Sequence, residues 1–358
     1  MTDAALFGAL AAHLTGLAAL PDALAAPLAV SLSDGPLFGL PLADLWFALL
    51  FFLLGTFLFL DGFDFGAGAL FATREDDEQR ETILAAIGPF WDGNEVWLVV
   101  FGGATFAAFP PVYANLFSRH YLLMFAILAA LFLRGLAPEM YEQRHDDGWQ
   151  RWWGRSFVVG SVAAPFLLGV FVGNWLVGAR STVTLVGAVV GVAVVALTVV
   201  TGAAFLRLKT RGALRDDVRW YGERAAAAYL VAVVAALAAA AAAAPRVAAA
   251  VTAPVSVALV AVSVAATGGT VAAMRRDADL VAFAASGVVV YALAALVCAL
   301  LSPVADPATD LTVQEAVVST IPLNLMSVAA AVLLPLVLTY FGVLYSAFSG
   351  PIEAGDAY

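Results

Sequence analysis

DLWFALLFFLLGTFLFLDGFDFGAGAL, residues 44–70, decides the fold. A hydrocarbon core about 30 Å thick needs roughly 20 apolar residues per helix, and this stretch supplies 16 uncharged ones in a row before Asp61 and further apolar residues after it. Asp61 is followed by Asp64 three residues later, so the two share a helix face. Gly62 and Gly66 form a small-xxx-small pair on the same stretch, which lets a second helix approach closely. The alternative for the acids is that they reach out to the interface.

The rest of the chain agrees with a membrane protein. Of 358 residues, 63% are hydrophobic and 12% charged, and mean hydropathy is +0.94. A soluble domain carries about 25% charged residues, and a water-soluble fold of this length could not hide so much apolar surface. We expect an all-α polytopic transmembrane bundle with nine spans, near 44–70, 83–107, 118–136, 156–177, 181–206, 225–244, 247–272, 280–302 and 318–346. Residues 43–350 form this unit and 351–358 a tail. Residues 1–42 are apolar but broken by Pro21, Pro27, Pro36 and Pro41, and read as an extracytoplasmic extension. A tenth span over 4–30 is the alternative. Fourteen Lys and Arg fall at the ends of odd-numbered spans or in the loops after them, and only Arg119, Arg180 and Arg246 on the other side. This bias puts the N-terminus outside and the C-terminus in the cytoplasm.

Composition also excludes. The single cysteine, Cys298, rules out a disulfide framework or a Cys-based metal site. His13, His120 and His145 are not at ligand spacing, so a haem held by two histidines of this chain is not expected. With a net charge of −10, nothing is basic enough for nucleic acid.

A second acidic motif is PFWDGNEVW, residues 89–97. If the second span starts near Ile83, Asp92 lies about 14 Å inside its inner end at 1.5 Å per residue. A carboxylate at the bilayer centre costs about 2.5–3.5 kcal/mol, so Asp92 and Glu95 must face the bundle interior, a water-filled cavity or a partner chain. Burial disfavours the charged form of a carboxylate, and coupled acids exchange protons as a group. That suits a proton relay loaded from the cytoplasm; a structural hydrogen-bond cluster is the bland alternative. Arg134, in RGLAPE (134–139), can pair with a buried acid or serve as an ordinary basic flank. Glycines at 102 and 103 are expected to permit close helix packing, and Asn324 to bond a neighbouring helix.

Taken together, these motifs resemble subunit II of the cytochrome bd-type quinol oxidases. The resemblance rests on DGFDFGAG at 61–68, WDGNEVWL at 91–98, GGATFAAFPPVYA at 102–114 with Ser118 and Tyr121, and RGLAPE at 134–139. Gly173-Asn174, the basic loop from Leu206 to Leu214 and Asn324 also fit, so it covers about residues 44–350. It implies two four-helix bundles plus one further helix. It implies a haem-free subunit paired with a subunit I that carries two b-type haems, haem d and the quinol site. Quinol would be oxidised and dioxygen reduced to water. The family's proton path uses the acid at the WDGN position, here Asp92, with Asp61 and Asp64 nearby. Trp91, Gly93, Asn94, Glu95, Arg134 and Glu139 match motif positions. Some members bind a quinone structurally in this subunit, and some complexes carry a small accessory subunit. Residues 1–42 and Pro138 depart from the family pattern. The rival readings are a proton-coupled transporter, against which the second half offers no acids matching Asp61 or Asp92, and a purely structural membrane subunit.

Overall fold

A computed structural model describes residues 32–33, 35–348 and 350–352. Most of the expected N-terminal extension, including the alternative span over 4–30, and the tail beyond 352 lie outside the described residues. After a single 3-10 turn at Leu37–Gly39, the chain enters α1 (Leu42–Phe71). Asp76 then caps α2 (Asp77–Ile87) by accepting from the Glu78 N–H, at 3.1 Å. Next come α3 (Trp91–Ala108), α4 (Pro110–Arg119) and α5 (Tyr121–Glu142). Asp146 and Thr184 cap the following pair, α6 (Asp147–Leu176) and α7 (Leu185–Lys209). Then follow α8 (Gly212–Ala243), the short α9 (Pro245–Val251), α10 (Pro254–Arg275) and α11 (Asp279–Leu301). A small antiparallel ribbon, β1 (Val304–Asp306) and β2 (Leu311–Thr312), leads through α12 (Val313–Ala316) into α13 (Thr320–Ala347).

Eight helices among the described residues are long and apolar enough to cross a membrane: α1, α5, α6, α7, α8, α10, α11 and α13. The expected second span is different. It breaks at Gly88–Phe90 into α2 and α3, where Pro89 has no N–H to continue the helical ladder and its ring crowds the carbonyl four residues back. Only α3 continues as an apolar helix, 18 residues and so about 27 Å long. Asp92 therefore lies in the first turn of a new helix rather than deep in a continuous one.

α1 is the centre of the bundle, packed by α3, α6, α7 and α11. It joins α3, α5 and α6 in one group; α7, α8, α10 and α11 form the other, with α13 at the side. In its most apolar window α13 is only 11% buried, against 72% for α7. Asn324 bonds the chain ahead of α1, where Leu32 is helical and Leu37 opens the 3-10 turn. Its amide donates to the Leu32 and Gly35 carbonyls and accepts from the Leu37 N–H, pinning the segment that precedes α1.

One clamp ties the ribbon to α4. Asp306 is fully buried and accepts from Arg119 at 3.0 and 2.8 Å and from the Thr309 hydroxyl at 2.8 Å. Burial alone would raise its pKa, but the bonds from Arg119 and Thr309 prevail and hold it below the ordinary 3.8. A carboxyl depressed on folding contributes stability above its unfolded pKa of about 3.9 and loses it as pH falls through the folded value. We expect Asp306→Asn to cost about 1.5–3 kcal/mol at neutral pH. We also expect it to flatten the acid limb of stability below about pH 4, where the unfolded carboxyl titrates. Thermal unfolding of the purified protein across pH 3–7 reads both effects; an unaltered acid limb in the variant contradicts the assignment.

Candidate functional site

Three helices converge on the acids of α1. At the α1–α7 crossing, a Cβ on Gly66 would stand 1.8 Å from the Thr198 carbonyl oxygen, and one on Gly202 would stand 2.5 Å from the backbone of Gly66. Backbone thus meets backbone, which fixes the depth of Asp61 and Asp64. Gly62, the other half of the expected pair, is in ordinary contact, with its nearest neighbour at 3.6 Å. On the other side, a Cβ on Gly160 of α6 would lie 2.6 Å from the backbone nitrogen of Arg134, so α6 and α5 meet at the arginine.

Arg134 reaches across to α1. It is 1% exposed; Asp61 and Asp64 are 0%. Its Nη2 donates to Asp61 Oδ1 at 2.7 Å and lies 3.3 Å from Asp64 Oδ2, while Nη1 stands 3.5 Å from Glu95 Oε2. The rings of Phe65 and Trp91 lie 5.1 and 5.6 Å from its guanidinium carbon. Asn94 donates to Asp64 Oδ2 at 2.9 Å and to the Leu60 carbonyl at 3.1 Å. Its own Oδ1 accepts from Tyr345 of α13 at 2.8 Å. One guanidinium thus stands against two fully buried carboxylates. Asp61 Oδ2 and Asp64 Oδ1 are buried and find no hydrogen-bond partner among the described residues.

The remaining motif residues divide by face. On α3, Asn94, Trp97, Phe101, Thr105 and Ala108 are buried, at helical spacing. Asp92, Val96, Val99, Gly103 and Phe106 form an exposed stripe. Asp92 therefore faces outward, and Glu95, 32% exposed, stands between it and Arg134. A Cβ on Gly93 would stand 3.8 Å from the ring of Phe341 of α13. The expectation that Gly102 and Gly103 pack helices closely fails within this chain: a Cβ on either would meet nothing within 4 Å. Glu139 is exposed at the end of α5. With Glu142 and Pro138 it lines a cavity of about 220 Å³ that runs to Trp91 and Arg134.

Sequence reasoning missed Tyr345, which stacks on Phe90 with ring centroids 4.6 Å apart. It also missed Arg207, a fully buried arginine that bonds Asp277 and Asp279 at 2.8 and 2.9 Å. Tyr345 carries no motif around it. Arg207 is the only charged residue between Gly202 and Leu208, two residues before the end of its helix. Among the described residues there is no group of three His, Cys, Asp or Glu side chains able to hold a metal ion.

The chain is thus a many-span helical membrane protein in which one arginine is clamped by acids of two other helices. Residues 42–348 match the family of cytochrome bd terminal oxidase subunit II, and the chain belongs to that family. It is a multi-pass protein of the prokaryotic cell membrane. It is 35% identical over 205 residues to the cytochrome bd-I ubiquinol oxidase subunit 2 of Escherichia coli K12, over 52% of this chain and 54% of that one. It is 35% identical over 208 residues to the cytochrome bd ubiquinol oxidase subunit 2 of Bacillus subtilis, over 54% of this chain and 61% of that one. The matched part spans between half and two thirds of those relatives. In fold it is similar to the bd oxidase from Geobacillus thermodenitrificans, with TM-score 0.72 and 17% identity over 86% of this chain and 99% of that chain.

Proposed function

We propose that this chain is the haem-free subunit of a membrane-bound quinol oxidase. It braces a haem-bearing subunit I and passes protons to it, while quinol is oxidised and dioxygen reduced to water on that partner. The observation that carries the reading is the line of acids running outward from the buried Asp61 and Asp64, through Arg134 and Glu95, to the exposed Asp92. A carboxylate left on an apolar helix face against lipid is costly. A second chain covering the α3 stripe would remove that cost, and Gly102 and Gly103, uncrowded here, would let its helix approach closely.

The arginine holds roughly one of the two buried negative charges in balance, so the acids share the remaining charge as a group and hand a proton on as a group. The cavity between Glu139, Glu142 and Arg134 is the mouth of the route. With the basic loops in the cytoplasm, that mouth opens on the cytoplasmic side. Haem, on this reading, belongs to subunit I and supplies the oxygen chemistry there. A structurally bound quinone is a poorer fit. An apolar groove of about 210 Å³ between Trp46, Trp97 and Phe341 exposes no polar surface for a quinone head. No step is routed through one.

The test uses Asp92→Cys in the complex purified from membranes. We expect a short bifunctional thiol–amine reagent to link this chain to a co-purifying subunit that absorbs in the red. A haem-free preparation, or a link that forms only within this chain, would overturn the reading.

A further inference from the structure

We propose that a groove between the ends of α1 and α5 and the first turns of α6 binds the headgroup phosphate of an anionic membrane phospholipid. The groove encloses about 470 Å³, and Arg80, Arg151 and Arg155 line it with no acidic residue among the lining side chains. Arg151 and Arg155 are four apart on α6, so both project from one face. Both are exposed, and neither makes a hydrogen bond or ion pair with the described residues. Arginines in neighbouring loops are spoken for: Arg74 by Asp217, Arg144 by Asp146, Arg215 by Asp279 and Arg275 by Glu223. Arg80, from α2, completes the ring. Its Nη1 holds Asp77 at 3.0 Å, while its buried Nε has no hydrogen-bond partner.

The groove is also two-natured along the axis of α6. One turn beyond Arg155 its wall becomes Val158 and Val159, and Val159 is 57% exposed. Trp152, 68% exposed, stands between the two arginines in sequence, and tryptophan is the side chain enriched at the level of lipid headgroups. A free phosphate would use the arginines and leave the valine wall idle. A phospholipid uses both, with its phosphate among the guanidinium groups and an acyl chain along Val158 and Val159. Basic pockets at the ends of spanning helices bind anionic headgroups in this way, and arginine's planar fork suits phosphate.

The experiment uses the whole complex in nanodiscs doped with phosphatidylglycerol bearing a photoreactive acyl chain. Peptide mass spectrometry locates the label. We expect labelling of the segment around Val158 and Val159, falling about fivefold for each of Arg151→Gln and Arg155→Gln. Both positions are exposed, so the variants retain their fold, and haem absorbance of the complex reports that directly. Equal labelling by the matching phosphatidylcholine probe, or labelling unchanged in the double variant, would overturn the proposal. Loss of labelling on adding inorganic phosphate at constant ionic strength would assign the site to free phosphate and overturn it as well.

Discussion

Replacing Arg134 by Ala is expected to destabilise the protein by about 3–5 kcal/mol, the range for removing one partner of a buried ion pair. The cause is specific. Asp61 and Asp64 are fully buried on consecutive turns of α1, and Arg134 is the only cation within 4 Å of either among the described residues. Without it both carboxyls must take up protons, or one stays charged in an apolar interior. The rings of Phe65 and Trp91 also lose their contact with the guanidinium. The variant should fail to accumulate in membranes. The triple variant Arg134→Met, Asp61→Asn, Asp64→Asn should recover much of the loss, because replacing a whole buried ion cluster by neutral groups is often near neutral. Accumulation and thermal unfolding of both variants measure it. An Arg134→Ala protein as stable as the parent would show that the cluster does not hold charge.

Gly66→Ala is expected to cost about 3 kcal/mol, at the upper end of the range for overpacking a close contact. The added methyl would stand 1.8 Å from the Thr198 carbonyl oxygen and 2.9 Å from the Gly202 Cα. Neither neighbour is a side chain able to turn aside, so α1 and α7 must separate. Gly62→Ala is the matched control. Its methyl would meet Thr198 Cγ2 at 3.6 Å, an ordinary contact, and its effect should stay below about 1 kcal/mol. Thermal unfolding of the two variants side by side separates the need for a glycine at the crossing from the mere presence of small residues.

Hydropathy and length located the spanning helices well, because lipid forces each crossing segment to be apolar and helical. Depth along a helix was harder. Counting inward from Ile83 treats the helix as unbroken, whereas one helix ends at Ile87 and the next begins at Trp91. Spacing puts Asp61 and Asp64 on one face, and for Arg134 the sequence leaves open a buried acid or a plain basic flank. It could not show that Asn94 turns inward and Asp92 outward, because the apolar residues of α3 run all round the helix and leave no polar side to orient it. Long-range partners such as Tyr345, 251 positions from Asn94, leave no local signal at all. The low-complexity spans α8 and α10 still carry specific bonds, such as Tyr229 to Ser263 at 2.9 Å, within runs of alanine and valine that read as featureless.

On the proposed reading, protons pass through this chain to chemistry on another. The most direct measurement is turnover with simultaneous proton uptake by the Asp92→Asn complex, reconstituted in vesicles and driven by quinol. Asp92 is exposed on this chain and makes no bond that holds the fold, so the complex should assemble with its haem spectrum intact. Oxygen reduction and proton uptake should then fall together, by about a hundredfold, the lower end of what a positioned proton-transfer group contributes. Unchanged turnover with unchanged proton uptake in that assembled variant would contradict the account.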